Sequence, residues 1–343
     1  MSQASDLNSN LTSDPNPSPN ALSFQPTCSL AALKARAKLY SQLRGFFAER
    51  DVLEVETPIL SQAAVTDVHL ASVAVQRHIS GRAQAHYLQT SPEFPMKRLL
   101  ASGSGPIYQI CKVFRDDEHG RKHNSEFTML EWYRPHLSLK GLMHEVTDLL
   151  NLVLAERFGE VRPMILSYKQ AFIQRVELNP LQASLAELKN SARRVGLNID
   201  LGDDRLAYID LLFSHLVEPS LGFDTPVFLT DFPPEMASLA KVKQDEDGEW
   251  VAARFELYIE GLELANAYDE LIDAEVLQQR FEADNAERLQ RGMIAMPIDH
   301  YLLAALPHMS ECSGIALGID RLLMVIQQKM QLAQVITFPA EHS

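Results

Sequence analysis

Between Leu30 and Phe47 the apolar positions Leu30, Leu33, Ala37, Tyr40, Leu43 and Phe47 recur at steps of three and four, with Lys and Arg between them. That spacing predicts an amphipathic helix of about five turns. It runs into VLEVETPIL (52–60), whose alternation predicts a short strand ended by Thr57-Pro58. Farther on, 107–115 (IYQICKVFR) and 127–133 (FTMLEWY) both suit a pleated surface and are joined by the polar segment DDEHGRKHNSE. A period of two puts Gln109, Cys111, Val113 and Arg115 on one face of the first strand. It puts Phe127, Met129, Glu131 and Tyr133 on one face of the second. If these strands pair, a charged loop caps a face holding Arg, Glu and Tyr. Helical patterns follow at 139–157 and 182–218, then a strand at 226–230 and a turn at Asp247-Gly248. Helices are predicted again at 273–291, stopped by Gly292, and at 299–306. Last, SGIALGIDRLLMVI reads as a strand entering a helix near Asp320. Arg321 then lies in the first helical turn beside the strand end, where it suits an anionic ligand.

The segment RFELYIEGLELANAYDEL places Glu256, Glu263 and Glu270 seven residues apart. On a helix this would be one acidic stripe, but Gly261 and the β-prone ARFELYI favour a hairpin turning at Glu260-Gly261. In that hairpin Tyr258 faces Glu263 and Glu256 faces Ala265, so Glu256 and Glu263 share a sheet face. Two carboxylates there, with no Lys to neutralise both, repel unless a cation sits between them. Oxygen ligands point to Mg²⁺, normally carried in by nucleotide phosphates. Taken alone, each is also compatible with a surface charge.

Charge and composition narrow the function classes. With 31 Lys and Arg against 45 Asp and Glu, the formal charge is −14, a field that repels polyanions and makes a tRNA partner unlikely on electrostatic grounds. No apolar stretch is long enough to span a bilayer. Residues 1–27, rich in Ser, Asn and Pro without Lys or Arg, are expected to be a disordered tail ahead of a domain from 28 to 343. Cys28, Cys111 and Cys312 lie far apart without a CxxC pair, which argues against a disulfide framework and a zinc site and makes a cytoplasmic setting the default. Cys111 and Cys312 are expected as buried small hydrophobes, and His119, His123 and His308 as ordinary histidines.

In this order the blocks resemble the three motifs of class II aminoacyl-tRNA synthetases. The first helix with VLEVETPIL resembles motif 1, FRDDEHGRKHNSEFTMLEWY motif 2 and GIALGIDRLL motif 3. TSPE (90–93), EFTMLEWY and ELANAYDEL resemble the lysyl branch. Only about 45 residues precede motif 1, where lysyl-tRNA synthetases carry an anticodon-binding domain. This is similar to the stand-alone ligases that attach (R)-β-lysine to a lysine of elongation factor P. The resemblance implies an α+β fold, a class II aminoacyl-tRNA synthetase-like catalytic domain with a mainly antiparallel sheet flanked by helices, a helical insertion near 182–218 and a homodimer formed through motif 1.

It also implies roles. Arg115 would hold the α-phosphate and the reacting carboxylate, Phe127 would stack on adenine, and Arg321 would bind the γ-phosphate of ATP. Asp116, Asp117, Asn124, Glu263, Leu264 and Gly318 match nucleotide positions, and Glu256 and Glu263 match carboxylates that hold Mg²⁺. Ser91, Pro92 and Glu93 match a substrate-binding run, with Glu93 facing the amino group near the reacting carboxylate. Tyr133 and Glu270, with Glu131, would receive the distal ammonium, and Ala316, where lysyl-tRNA synthetases typically have Gly, is a candidate selector of β-lysine over α-lysine. Three positions depart from the family pattern: Asp117 for Glu in FRxE, Ser125 for Pro, and Ala267 for Gly. Tyr133 alone could equally be a sheet aromatic, and DDEHGRKHN a solvated loop. Other activities open at this point are tRNA charging, release of a free adenylate, or an inactive synthetase-like regulator.

Overall fold

The computed structural model describes residues 24–342. Most of the expected tail, 1–27, falls outside them. Thr27, at its end, is tied down, its N–H donating to Thr337 O at 2.9 Å. Helix α1 (Leu30–Ala48) starts at Ser29, whose Oγ accepts from Ala32 N, and leads to β1 (Leu53–Glu54) and β2 (Leu60–Ser61). VLEVETPIL is thus not one strand: the chain crosses from one sheet to another around Pro58. Strands β3 (Ala74–Ile79) and β4 (Arg82–Leu88) complete a three-stranded sheet with β2. Helix α2 (Glu93–Ala101) follows, then β5 (Ile107–Phe114), β6 (Glu126–Pro135) and α3 (Leu139–Phe158).

The chain continues through β7 (Met164–Ser167), α4 (Tyr168–Val176), α5 (Leu185–Arg194) and α6 (Arg205–Leu212). The helical pattern expected over 182–218 is two helices and a π-turn at Phe213–Val217. Gly196 and Gly202, both at positive φ, lie in the break between α5 and α6. Next come β8 (Val227–Phe232), β9 (Val242–Gln244), β10 (Trp250–Ile259), β11 (Leu262–Asp269), α7 (Ala274–Gln290), α8 (His300–Ala305), β12 (Cys312–Gly318) and α9 (Ile319–Gln327).

The large sheet has the order β1-β5-β6-β12-β11-β10-β8-β7, with β9 on β10. Its pairs are antiparallel except β1–β5 and β7–β8. One face is apolar: Leu130, Trp132, Ile315, Leu317, Ala265, Phe255 and Leu257 pack under Phe47 of α1, Leu149 of α3 and Leu322 of α9. Period two sends the alternate residues of the same strands to the opposite face, which carries the polar groups. No helix of the described residues is long and apolar enough to cross a membrane.

Candidate active site

Strand register builds the polar face in rungs. Gln109, Glu131, Ala316, Asn266 and Glu256 are successive cross-strand partners over five strands, and Ile107, Tyr133, Gly314, Tyr268 and Arg254 form the next rung. These rungs floor a cavity of about 2410 Å³, well beyond the roughly 300–1,000 Å³ of an ordinary small-molecule pocket. Ala316 therefore lies on the site face, whereas its neighbours Ile315 and Leu317 enter the core.

The β10–β11 hairpin turns at Glu260-Gly261 and pairs Tyr258 with Glu263 as expected, but Glu256 faces Asn266 and not Ala265. A bulge between Leu257 and Tyr258 shifts the β10–β11 register by one residue, and this brings Glu256 into line with Asn266 and, through it, with Ala316. The expected repulsion between Glu256 and Glu263 is present, but each also has a cationic partner. Arg254 is ion-paired with Glu256, Tyr258 Oη donates to Glu256 at 2.6 Å, and Arg321 lies 3.5 Å from Glu263. Each carboxylate has its own arginine, so their spacing alone does not call for a metal. The donor set still fits one: burial, Glu263 and the half-buried Glu218 hold the Glu256 carboxyl above the ordinary range, a condition a divalent cation would relieve. Glu218, on the connection after the π-turn, had no signal in the sequence.

At the closed end stand three carboxylates. Glu131 accepts from Tyr133 Oη at 2.6 Å and Ser91 Oγ at 2.7 Å. Glu270 follows β11, and Glu93 opens α2. Lys97, one turn into α2 and fully buried, lies 2.5 Å from Glu93 and 2.6 Å from Glu270. Burial, with the neighbouring carboxylates, raises Glu131 and Glu270 above the usual range. Glu270 was expected to face a substrate ammonium, and in this structure it holds Lys97, which sequence reading missed. The only hint was its i, i+4 spacing from Glu93. Pro92 does not line the cavity but begins α2, while Ser91 and Glu93 do line it. Gly314 is a second omission. A methyl group there would collide with Glu270 and with the Tyr133 ring.

The opposite end gathers Arg115, Glu118, His123, Asn124, Phe127, Glu263, Leu264, Gly318 and Arg321. The Arg115 guanidinium lies 5.0 Å from the Phe127 ring centroid, and its buried Nε has no partner among the described residues. Arg321 donates to Glu263 O at 2.8 Å. Asn124 is held by Glu126 O at 2.6 Å and accepts from Ala340 N at 2.9 Å. Asp116 and Asp117 are exposed and stand off the cavity. Asp117 takes a left-handed conformation (φ 56°), which turns the chain so that Glu118 enters instead. Glu118 bonds His123 at 3.2 Å and lies 3.8 Å from Arg115. His123, expected to be ordinary, thus lines the site, while His119 and His308 are exposed away from it. Cys312 is buried and Cys111 half-buried, both as free thiols raised by burial.

Seven of the nine α-helices of the described residues have a Ser or Asp side chain capping the N-terminus. The two without a side-chain cap from the preceding residue, α2 and α9, start at the cavity; in α2 Ser91 Oγ accepts from Glu93 N at 3.0 Å, and at α9 the helix dipole favours carboxylate or phosphate.

A closed acidic end, a cationic aromatic end and an antiparallel floor between them define an α+β domain built to join an amino acid to a nucleotide. The sequence matches the family described as tRNA synthetases class II (D, K and N) over residues 20–342, and the chain belongs to that family. It is 48% identical over 327 residues to the elongation factor P (R)-beta-lysine ligase of Pectobacterium atrosepticum, covering 94% of this chain and 98% of that protein. The protein of the same name from Edwardsiella ictaluri is 48% identical over 328 residues, with 94% and 98% covered. The one from Yersinia pestis is 47% identical over 322 residues, with 92% and 97% covered.

Proposed function

We propose that this enzyme activates (R)-β-lysine with ATP as an aminoacyl-adenylate and transfers the acyl group to a lysine of elongation factor P. One observation carries the substrate class. Glu93, Glu131 and Glu270 face a single buried cation, Lys97, so the closed end lacks two positive charges when all four groups are ionised. An amino acid with two ammonium groups supplies both. The partner protein follows from the names of relatives alike over nearly their whole length, and the −14 charge disfavours tRNA.

In this reading Glu93 receives the amino group nearer the reacting carboxylate, and Glu270 with Glu131 and Tyr133 receives the distal ammonium. Arg115 neutralises the α-phosphate and substrate carboxylate, Phe127 stacks on adenine, and Arg321 takes the γ-phosphate. Asn124, Leu264 and Gly318 border the nucleotide. Glu256 and Glu263, joined by Glu218, would hold Mg²⁺, which would offset phosphate charge when bound. The substrate carboxylate attacks the α-phosphorus and pyrophosphate leaves. The neutral target amine then attacks the acyl carbon, forms the amide and expels AMP. The side chains position and neutralise charge, so no protein nucleophile is used. Two-fold pairing through α1 and β1 fits the exposed Leu30 and Leu53 there. Three free cysteines agree with a cytoplasmic setting.

The test is ATP–pyrophosphate exchange with (R)-β-lysine, α-lysine and a monoamino analogue, followed by acyl transfer to elongation factor P or to tRNA. Exchange with the two diamino acids only, then transfer to the protein, is expected. Efficient tRNA charging, or exchange supported by the monoamino compound, would overturn the reading.

A further inference from the structure

Lys97 is fully buried, yet no step of the reaction above uses it. Its neighbours on α2, Met96 and Leu100, belong to an apolar cluster that also contains Leu277, Phe281 and Leu302. A Met at 97 would suit such surroundings, whereas removing an ammonium from water costs several kcal/mol unless it is well paired. Pairing is what the structure provides, through Glu93 on the same helix and Glu270 beyond β11. The remaining groups that face this cluster are Glu131 and Tyr133 of β6, Tyr268 of β11 and Cys312 of β12. None of these is a cation. Lys97 opposes the burial and like charge that raise Glu131 and Glu270, and without it three carboxylates would crowd one closed pocket and hold their protons more tightly still. A neutral carboxyl is a poor partner for an ammonium.

We propose that Lys97 is a positioning residue, a built-in ammonium that bridges Glu93 and Glu270 at fixed separation in the free enzyme and eases their ionisation, so that the two amino groups of the substrate meet a preformed pair of acids. The proposal rests on the diamino substrate read above. Lys97 remains in place when substrate binds, its charge counted against the third carboxylate, and it does not touch the reacting atoms.

Three measurements test it. For Lys97→Met, the rising limb of the pH profile for kcat/KM in pyrophosphate exchange should move up by about one unit, since the carboxyls of the cluster would hold their protons more tightly in the free variant and must lose them to bind. Calorimetry of lysine binding in buffers of different ionisation enthalpy should show about one more proton released than in the wild type, with affinity lower by roughly tenfold or more. Lys97→Arg, which retains the charge, should keep the wild-type limb even where its KM rises. If Lys97→Met scales activity down with an unmoved limb and unchanged proton release, Lys97 is structural and the proposal is wrong. A ligand-free arm covers poor folding of the single variant. Adding Glu93→Gln to Lys97→Met should raise the thermal midpoint by removing a repelling charge, and a further fall overturns the proposal. That arm needs no substrate, so failure of the substrate reading shows separately, as a wild-type enzyme that activates neither lysine isomer.

Discussion

At Gly314 the difference between a working floor and a blocked one is a single methyl group. Its Cβ would fall inside the contact distance of both Glu270 Oε1 and Tyr133 Cε1, two groups fixed by burial and hydrogen bonds. Gly314→Ala should therefore cost about 1–3 kcal/mol of stability through overpacking, measured by denaturant unfolding, and should also raise the KM for the amino acid. Unchanged stability would mean that Tyr133 and Glu270 yield readily. Ala316 is the converse, a methyl that the floor accommodates between Glu131 and Asn266. If it excludes an α-amino group while a β-amino group passes, Ala316→Gly should lower the ratio of β- to α-lysine activation by roughly 10- to 200-fold, the worth of about 1–3 kcal/mol. An unchanged ratio in pyrophosphate exchange removes Ala316 as the selector. The sequence left open whether Ala316 faces the site or the core, and the strand register decides it, with Ile315 and Leu317 in the core and Gly314 and Ala316 on the opposite face. The collision at Gly314 was not legible either, since it depends on Glu270 folding back from the end of another strand.

Helix α9 shows how an element places a residue that cannot place itself. Asp320, buried at its start, accepts from Thr128 N at 2.7 Å and pairs with Arg36 of α1, so the helix is pinned to β6 and to the layer behind it. Arg321, the next residue, is thereby aimed at the cavity. Two substitutions at adjacent positions should then behave oppositely. Asp320→Ala should cost about 3–5 kcal/mol because it leaves the Arg36 charge and an N–H of β6 unpaired. Arg321→Ala should change stability by about 0.5 kcal/mol or less while reducing exchange by about 10²- to 10³-fold through loss of a phosphate partner. Thermal unfolding and exchange rates measured side by side decide it. Near-normal exchange in Arg321→Ala would leave that residue a structural partner of Glu263. Elements of this kind were the most legible part of the chain: α1, α3, α7, β5, β6 and β12 lie where apolar spacing and caps put them. What spacing could not give was register. The bulge at Leu257/Tyr258 is one residue out of pattern, yet it decides that Glu256 joins the rung of Glu131, Ala316 and Asn266, whose buried Oδ1 is unpartnered among the described residues. The turn at Asp117 likewise exchanges one acidic residue for the next in a loop where all look alike.

Across the whole molecule the buried acids make stability depend on pH in an unusual direction. Burial, helped by neighbouring carboxylates, pushes Glu131 and Glu256 up to about 7 and Glu270 up to about 8. In the unfolded chain these groups titrate near the ordinary glutamate value of about 4.3. Between those limits the folded protein binds more protons than the unfolded one, so stability falls as pH rises, by up to about 1.4 kcal/mol per pH unit for each such group. Carboxylates held below the usual range by arginine or histidine partners, Glu54 and Glu118 among them, lose their contribution only below about pH 4.5 and leave this window untouched. The ligand-free protein should accordingly have a higher thermal midpoint at pH 6 than at pH 8. Saturating lysine reverses the sign for Glu131 and Glu270, because two ammonium groups favour the ionised forms. Its stabilisation of the fold should grow over the same interval, beyond what mass action gives at constant affinity. Scans at several pH values with and without lysine, repeated with a monoamino analogue, separate the two effects. If the ligand-free midpoint is flat or rises from pH 6 to pH 8, the acids of the closed end are ionised at no cost, and the charge deficit assigned to a two-ammonium substrate does not exist.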